Sequence, residues 1–482
     1  MSYQDRLRAF LISATLLLSY AYFYESGGWN AQSRLDLTRS IVEHHTLRID
    51  SYHQNTGDKA FFKGHYYCDK APGLSLAAVP IWEVANAALR IVGKNPTSER
   101  AIIAKSYFST IIVVGFPTAL AAACLFLLGR RLRASVGGAA FGALTFGLAT
   151  PMWCYATEFR GHATAGALLL FAYAAAFEMR LFRSEKRDLW LSIALGLAAG
   201  GATVSDFTAA PAAVILAVLA LAGVWRTNRK RVARVGLAIA LGALPCVLVL
   251  CSYQILAFGS PFNLGYTHHD FPGSTIESSM KVGFVGLTYP KWHALYEILV
   301  GKQRGLLPLS PVLALAPLGF VILWRNPDAR KSAIAAAAIS LYFVLLNAAF
   351  RDWWGGWAVG PRYLSLGLPF LCVALAPLWT WSDRIFRSVL AMLALFGATL
   401  SLIAVSTNPM PPFLFGQHKS PMQELLWPAF CLGHIPIRRD DWNLGLRAGL
   451  SGLASLLPLL LIWGLASTAW VSVRSGATKR RV

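Results

Sequence analysis

Runs of about 17 to 25 apolar residues, the length a helix needs to cross a bilayer, recur along the whole chain. Short polar loops separate them, and no stretch is long and polar enough for a separate soluble domain. The pattern predicts an all-α polytopic membrane protein of about twelve transmembrane helices, with residues 1–482 in a single integral membrane domain. The predicted spans are approximately 9–24, 103–128, 136–155, 162–180, 189–205, 209–225, 234–256, 306–324, 332–350, 363–381, 388–405 and 445–471.

Residues 73–93 are also long and apolar enough to cross, but their polar positions indicate another placement. Glu83, Asn86 and Arg90 are three and four residues apart, so they share one face of a helix. A helix with such a face lies in the membrane interface rather than across the bilayer. The first outer loop is therefore expected to contain an interfacial helix over 73–93.

The short basic loops between spans support this placement, because without a crossing at 73–93 every one of them falls on one side. The positive-inside rule makes that side cytoplasmic. Both termini are then cytoplasmic, and the chain spans the inner (plasma) membrane with outer loops 25–102, 257–305 and 406–443. The residues that define the inner side are Arg130, Arg131, Arg133, Arg180, Arg183, Lys186, Arg187, Arg226, Arg229, Lys230, Arg231, Arg234, Arg325, Arg330, Lys331, Arg384 and Arg387.

Composition agrees with a membrane protein, since 56% of the residues are hydrophobic. The net charge of +21 does not predict nucleic-acid binding, because the basic residues lie in short loops without forming a basic face. The cysteines lack the CxxC spacing of a metal site. Cys68 and Cys431 both fall in outer loops, so the sequence leaves open whether they form a disulfide.

The first outer loop concentrates the unexplained charges, with acids and cations interleaved over residues 30–73. Charged groups held against a membrane usually mark a functional site. Within the loop, residues 31–46 have helical spacing and predict a short amphipathic helix on the membrane. Pairs such as Asp36–Arg39 and Arg39–Glu43 offer a purely structural alternative for its charges.

The segment GHYYCDKAPGLSL resembles the first outer loop of GT-C glycosyltransferases, such as the protein O-mannosyltransferases and the lipid A aminoarabinose transferases. Those enzymes carry an acid-bearing helix, then a G-x-x-Y-x-[DE]-K-P-P-like segment before an apolar helix. Ala71 replaces one proline of that pattern, and further similarity lies in TEFRGHATAGALLL, FGSPFNLGY and WWGGWAVGPRYL. The matching positions are Gly64, Tyr67, Asp69, Lys70 and Pro72.

The resemblance implies a catalytic carboxylate, yet Asn30 and Ala31 stand where many members have Asp-Glu. An amide cannot accept a proton as a carboxylate does. Asp36 or Asp50 is therefore the expected base. The resemblance also implies that Lys70 binds the lipid phosphate with Arg34 or Arg39. From its position near the outer end of a span, Arg362 is a candidate second phosphate ligand.

Further substrate-binding candidates lie in this loop and near other outer span ends, although each also has a structural explanation. An internal ion pair would explain the charges of EFRGH at 158–162, and an aromatic belt would explain the tryptophans of RDWWGGWAVGPRY. Asp58 is interpreted as ordering its turn. The candidates are Asp69, Tyr67, Arg160, His162, Asp206, Trp354 and Tyr363.

No cofactor is expected. His268, His269 and Asp270 could in principle hold a divalent metal, but adjacent histidines on a loop are weak evidence for one. No nucleotide-binding motif is present in the sequence.

The predicted function is transfer of a sugar from a polyprenyl-phosphate donor to an acceptor hydroxyl at the outer face, with inversion at the anomeric carbon. The acceptor is a lipid, a glycan or a protein. One alternative is a transporter or flippase of lipid-linked sugars, which would place acids and broken helices near the bilayer midplane. The other is a non-catalytic scaffold, which would tolerate carboxylate-to-amide changes at Asp36 and Asp50.

Overall fold

The computed structural model describes residues 1–181, 184–225, 229–270, 279–412 and 419–475. Helices dominate the described residues. In chain order they are α1 Tyr3–Ala21, α2 Trp29–His44, α3 Gly73–Ile91, α4 Glu99–Thr110, α5 Phe116–Arg131, α6 Val136–Leu148, α7 Met152–Ala156, α8 Gly161–Leu181, α9 Glu185–Ser205, α10 Ala210–Val224, α11 Arg229–Phe258, α12 Trp292–Leu299, α13 Leu306–Leu309, α14 Ala316–Arg325, α15 Arg330–Ala349, α16 Leu368–Val373, α17 Leu375–Trp381, α18 Arg384–Thr407, α19 Trp427–Cys431, α20 Leu444–Arg447 and α21 Leu457–Ser475.

The helices confirm the predicted polytopic all-α class. Within the described residues, ten helices are long and apolar enough to cross a bilayer; nine of them fall on predicted spans, and the tenth is α3. The shorter apolar helices Val136–Leu148 and Pro311–Arg325 fall on two further predicted spans, and α1 lies on the first predicted span. Several predicted spans consist of two helical pieces: a π-helical turn at Ile111–Gly115 joins α4 to α5. The last span differs most from its prediction, because α21 begins only at Leu457, after a 3₁₀ turn at Gly452–Leu456.

One end of the bundle collects the basic clusters that the sequence placed inside. There Arg130 lies 3.1 Å from Asp5, and Arg131 lies 2.7 Å from Glu178. Arg231 of α11 reaches Asp188 of α9 on the same side. Carboxylates therefore neutralise part of the basic end, and the opposite end is left for the large polar loops.

Contacts of α3 agree with its predicted interfacial position, although its length and composition would allow a crossing. Its first turn follows Lys70, and its Asn86 accepts a hydrogen bond from Lys105 of α4 at 2.9 Å. Lys105 also lies 4.0 Å from Glu43 of α2, and Tyr107 of α4 donates to the carbonyl of Ala21 at the end of α1. Both ends of α3 thus stay near the end of the bundle that carries the first large loop.

The first large loop folds against the bundle as a helix and a hairpin. Strands β2 Lys59–Phe62 and β3 His65–Cys68 pair antiparallel, with Ala60 opposite Tyr67. The predicted helix at 31–46 is present as α2, but it is enclosed rather than half exposed. Its buried residues include Ser33, Arg34, Asp36, Thr38 and Ser40.

Two short strands join the beginning of the chain to its end. Strand β1 Phe23–Tyr24 pairs with β4 Trp442–Asn443, and the Ser26 hydroxyl donates to Asp441 at 2.7 Å. The two loop cysteines do not pair: Cys68 is buried beside the Ser33 hydroxyl, and Cys431 is exposed.

Candidate functional site

A cluster of charged side chains lies where the first large loop meets the helix ends opposite the basic face. Its centre is Lys70, which follows β3 and precedes α3. The Lys70 ammonium lies 2.9 Å from Asp69 and 3.0 Å from Asp58, and it sits 4.9 Å from the centre of the Tyr266 ring. Burial opposes a charge on Lys70, but the two carboxylates raise the pKa of Lys70 above its ordinary value. Lys70 is therefore a fixed cation.

Asp69 is the most enclosed acid of the cluster, with none of its side chain exposed. Burial alone would raise its pKa, but Lys70 and His269 hold the pKa of Asp69 at about 2. His269 lies 3.3 Å from the same carboxylate oxygen that contacts Lys70. Asp69 therefore stays ionised and fixes the position of Lys70.

Arg34 of α2 forms a second cationic position next to Lys70. Its guanidinium donates to the carbonyl of Ala71 at 2.6 Å and to the side chain of Asn30 at 3.2 Å. An added Cβ on Gly161, the first residue of α8, would lie 3.3 Å from the same guanidinium. Arg34 thus stands between the Lys70 loop and the beginning of α8.

Three more arginines approach the cluster from the segment before α8, the loop before α13 and the segment before α16. Arg160 lies 2.7 Å from Glu158 and donates to the carbonyl of Trp357, while Arg304 donates to the neighbouring carbonyl of Gly356. Arg362 follows the same segment and donates to the Tyr363 hydroxyl at 3.1 Å. The arginines converge because two of them bind adjacent carbonyls of one loop.

Burial changes the pKa values of two side chains on this side of the cluster, Glu158 and Arg304. It raises the pKa of Glu158 to about 7, although Arg160 and Arg362 oppose the shift. It lowers the pKa of Arg304 to about 10, and the charges of Arg362 and Arg160 lower it further. The arginine-rich side of the cluster is therefore a region of concentrated positive charge, poised to receive an anion.

His162 and Asp206 close another side of the cluster. The imidazole Nδ1 lies 2.7 Å from the Asp206 carboxylate, which also accepts from the backbone and hydroxyl of Thr208. The rings of Tyr155 and Tyr363 contact His162 edge to face. Burial would raise the pKa of Asp206, but His162 and Thr208 lower it below its ordinary value. Asp206 thus both caps the short helix Phe207–Ala209 and orients His162.

The structure therefore brings most of the predicted site residues together. Lys70, Asp69 and Arg34 lie around the loop before α3, and Arg160 and Arg362 lie on the arginine-rich side. The predicted residues His162, Asp206 and Tyr363 complete the group.

Other predicted residues lie apart from the cluster. Asp36 is buried on another side of α2 and accepts from the Asn55 amide at 3.0 Å. Asp50 is exposed and holds His65 and the backbone of Tyr66 in the hairpin. Arg39 pairs with Glu43 at 3.0 Å. These residues serve the loop's own fold.

Two aromatic candidates also have structural contacts. Tyr67 is buried in the core of the hairpin, where its ring packs against Phe258. Trp354 packs edge to face on Trp353 in the segment before α16. Residues 406–412 and 419–443 of the last outer loop are described, and the intervening six lie outside the described residues.

Sequence reasoning missed Asp58, Arg304 and Tyr266. The Asp58 side chain pairs with Lys70, while the turn is held instead by its backbone N–H, which donates to Thr56. Arg304 had one usable signal: a cation directly before an outer span end departs from the positive-inside pattern. Tyr266 ends the similar segment FGSPFNLGY, but that segment did not predict its contact with Lys70, which depends on how two distant loops fold.

The predicted histidine pair separates in the structure. His269 turns to Asp69, whereas His268 lies 2.9 Å from Asn263 and stacks on Phe258. Among the residues that the structure describes, no group of three or more His, Cys, Asp and Glu side chains is arranged to hold a metal ion. Independence from cofactors stays a prediction.

Asp36 gives a testable pH dependence. Burial raises its pKa from 3.8 to about 7, although Asn55 and Arg39 lower it in part. The folded state then binds a proton that the unfolded state releases, so stability should fall as the pH rises from about 4 to about 7. We expect Asp36→Asn to remove a component of this fall worth on the order of a few kcal/mol.

The measurement is the thermal midpoint of the purified protein at pH 5, 6, 7 and 8. The variant should show a flatter curve than the wild type, and Glu83→Gln, at an exposed position of α3, should keep the wild-type slope. Parallel curves for the wild type and Asp36→Asn would show that Asp36 is ionised in the folded state across this range.

Two solved structures of ArnT from Cupriavidus metallidurans share the fold of this chain. With ArnT bound to undecaprenyl phosphate, the TM-score is 0.54 at 16% identity, covering 97% of this chain and 75% of that one. With ArnT in the apo state, the TM-score is 0.53 at the same identity and coverage. No protein-family model matches the sequence, and no curated protein matches it significantly.

Proposed function

We propose that this protein is a membrane glycosyltransferase that takes a sugar from a polyprenyl-phosphate donor at the outer face of the inner (plasma) membrane. The observation that carries the proposal is the convergence of Lys70, Arg34, Arg160 and Arg362 at one end of the bundle. The end lies beside membrane-spanning helices, where a lipid-linked phosphate would arrive. The fold shared with an ArnT structure that holds undecaprenyl phosphate supports this ligand class.

The reaction follows from the charges. An acceptor hydroxyl attacks the anomeric carbon, a new carbon–oxygen bond forms, and the bond to the phosphate oxygen breaks with its electron pair. The phosphate gains negative charge as it leaves, and fixed cations stabilise that charge most strongly where water is excluded. Lys70 fits this role because two carboxylates keep it protonated and in place. Attack from the face opposite the phosphate would invert the anomeric centre.

A donor panel tests the function. Purified protein in lipid vesicles would receive several polyprenyl-phosphate sugars, each with lipid, glycan and protein acceptors, and mass spectrometry would measure the released polyprenyl phosphate and the glycosylated product. We expect transfer from at least one donor. No sugar release from any donor, with folded protein, would contradict the proposal.

A flippase is the second candidate, and the same vesicles separate it from a transferase. A flippase moves a fluorescent lipid-linked sugar between leaflets without breaking the sugar–phosphate bond. The charged groups lie at one end of the bundle and not at its middle, which favours the transferase. Lipid movement without bond cleavage would support the flippase.

A further inference from the structure

We infer that Asp58 is the general base, the carboxylate that takes the proton from the acceptor hydroxyl. The inference rests on the proposed function and adds the residue that activates the acceptor. Neither carboxylate expected from the sequence lies in the cationic cluster: Asp36 faces Asn55, and Asp50 braces the exposed hairpin. The base must therefore be found among the acids that the fold brings to Lys70 and the arginines.

The acids of the cluster differ in how many partners contact their carboxylates and in how much of each side chain is exposed. Asp69 is fully enclosed and contacts both Lys70 and His269. Glu158 is fully enclosed against Arg160, and Asp206 is bound to His162 and Thr208. Asp58 contacts Lys70 with one oxygen while 16% of its side chain stays exposed. It is the cluster acid that an incoming hydroxyl can most readily reach.

The distance from the leaving group also fits Asp58. Its carboxylate oxygen lies 3.0 Å from the Lys70 ammonium. A phosphate oxygen bound to that ammonium at about 3 Å would stand no more than about 6 Å from the carboxylate. A base must lie within hydrogen-bond reach of the attacking hydroxyl, itself close to the sugar that the phosphate carries. The negative charge of Asp58 also favours the charged forms of Arg160 and Arg362, so Asp58 lies close to the arginine-rich side.

The loop holds Asp58 in position before any ligand binds. Its backbone N–H donates to the Thr56 hydroxyl at 2.9 Å, and that hydroxyl donates to the carbonyl of Trp29 at 2.7 Å. Gly57 packs so closely on the Trp29 ring that an added Cβ would lie 2.7 Å away. The loop is therefore fixed on the first turn of α2, as a preorganised catalytic group requires.

The residues of the site and water account for every proton and electron pair in the proposed reaction. The acceptor oxygen bonds to the anomeric carbon, and its proton passes to the Asp58 carboxylate. The electron pair of the broken bond leaves on the phosphate oxygen beside Lys70. The exposed edge of Asp58 then returns the proton to water, so no other reactant is needed.

The experiment compares turnover with binding in Asp58→Asn, using a donor that the wild type cleaves and undecaprenyl phosphate as the binding probe. Turnover should fall by about 100-fold or more, the usual contribution of a general base. Affinity for undecaprenyl phosphate should stay the same or rise, because Lys70 loses a competing anion. Asp58→Glu should recover part of the turnover. Glu83→Gln, at an exposed position of α3, should behave as the wild type.

Several results would overturn the inference while leaving the proposed function intact. One is wild-type turnover in Asp58→Asn. Another is a parallel loss of turnover and of undecaprenyl phosphate binding, which would mean that Asp58 only positions Lys70. If Asp58→Asn does not fold, Asp58→Ala with added formate carries the test, and turnover that formate does not restore would count against the base. A wild type without activity on any donor would remove both proposals.

Discussion

Replacing Lys70 with glutamine is expected to lower glycosyl transfer by about 1000-fold. The ammonium that would face the leaving phosphate disappears, and Asp58 and Asp69 lose the cation between them. Affinity for undecaprenyl phosphate should fall at least about tenfold, because one buried charge-assisted hydrogen bond is lost. Turnover and binding are measured on the same preparation, with the donor that the wild type cleaves.

Two further variants test whether the losses come from the missing charge at position 70. Lys70→Arg keeps the cation and should retain the fold and part of the binding, but its larger planar group cannot occupy the same position between two carboxylates. Lys94→Gln removes an exposed lysine just after α3 and should leave both turnover and binding unchanged. Undiminished binding of undecaprenyl phosphate to Lys70→Gln would place the phosphate elsewhere.

Replacing Gly161 with alanine is expected to disturb the site through the backbone. An added Cβ would lie 2.3 Å from the carbonyl oxygen of Ser205, far inside contact distance, and 3.3 Å from the Arg34 guanidinium. The first turn of α8 would have to move away from the end of α9, carrying His162 with it. Overpacking of this kind typically costs about 1–3 kcal/mol, and a shift of about 1 Å in a site can cost about 100-fold in rate.

Gly201→Ala is the matched control, because its added Cβ would meet only a Leu168 methyl group at 3.4 Å. It introduces the same methyl group at an ordinary contact distance in the neighbouring helix. Thermal midpoint and turnover should both fall in Gly161→Ala and remain near wild type in Gly201→Ala. Equal behaviour of the two variants would show that the junction between α8 and α9 tolerates the extra volume.

The sequence by itself determined the membrane architecture. Bilayer thickness sets the length of each apolar run, so the predicted spans coincide with observed helices from α1 to α18. Charge asymmetry is likewise local along the chain, and it separated the basic end of the bundle from the end with the large loops. The same counting predicted an interfacial position for α3. Lys70 and Asp69 were found because their motif is contiguous.

Only the tertiary structure decided which acids lie beside Lys70 and the arginines of the cluster. Asp36 and Asp58 both lie in the first loop, yet the turn of α2 directs Asp36 towards Asn55, while the hairpin returns Asp58 to Lys70. Arg304 and Tyr266 join from segments more than 190 residues downstream of Lys70. The hydropathy of a segment predicts whether that segment crosses the membrane or lies outside it. Side-chain pairing depends on loop folding between distant segments, and no local pattern encodes it.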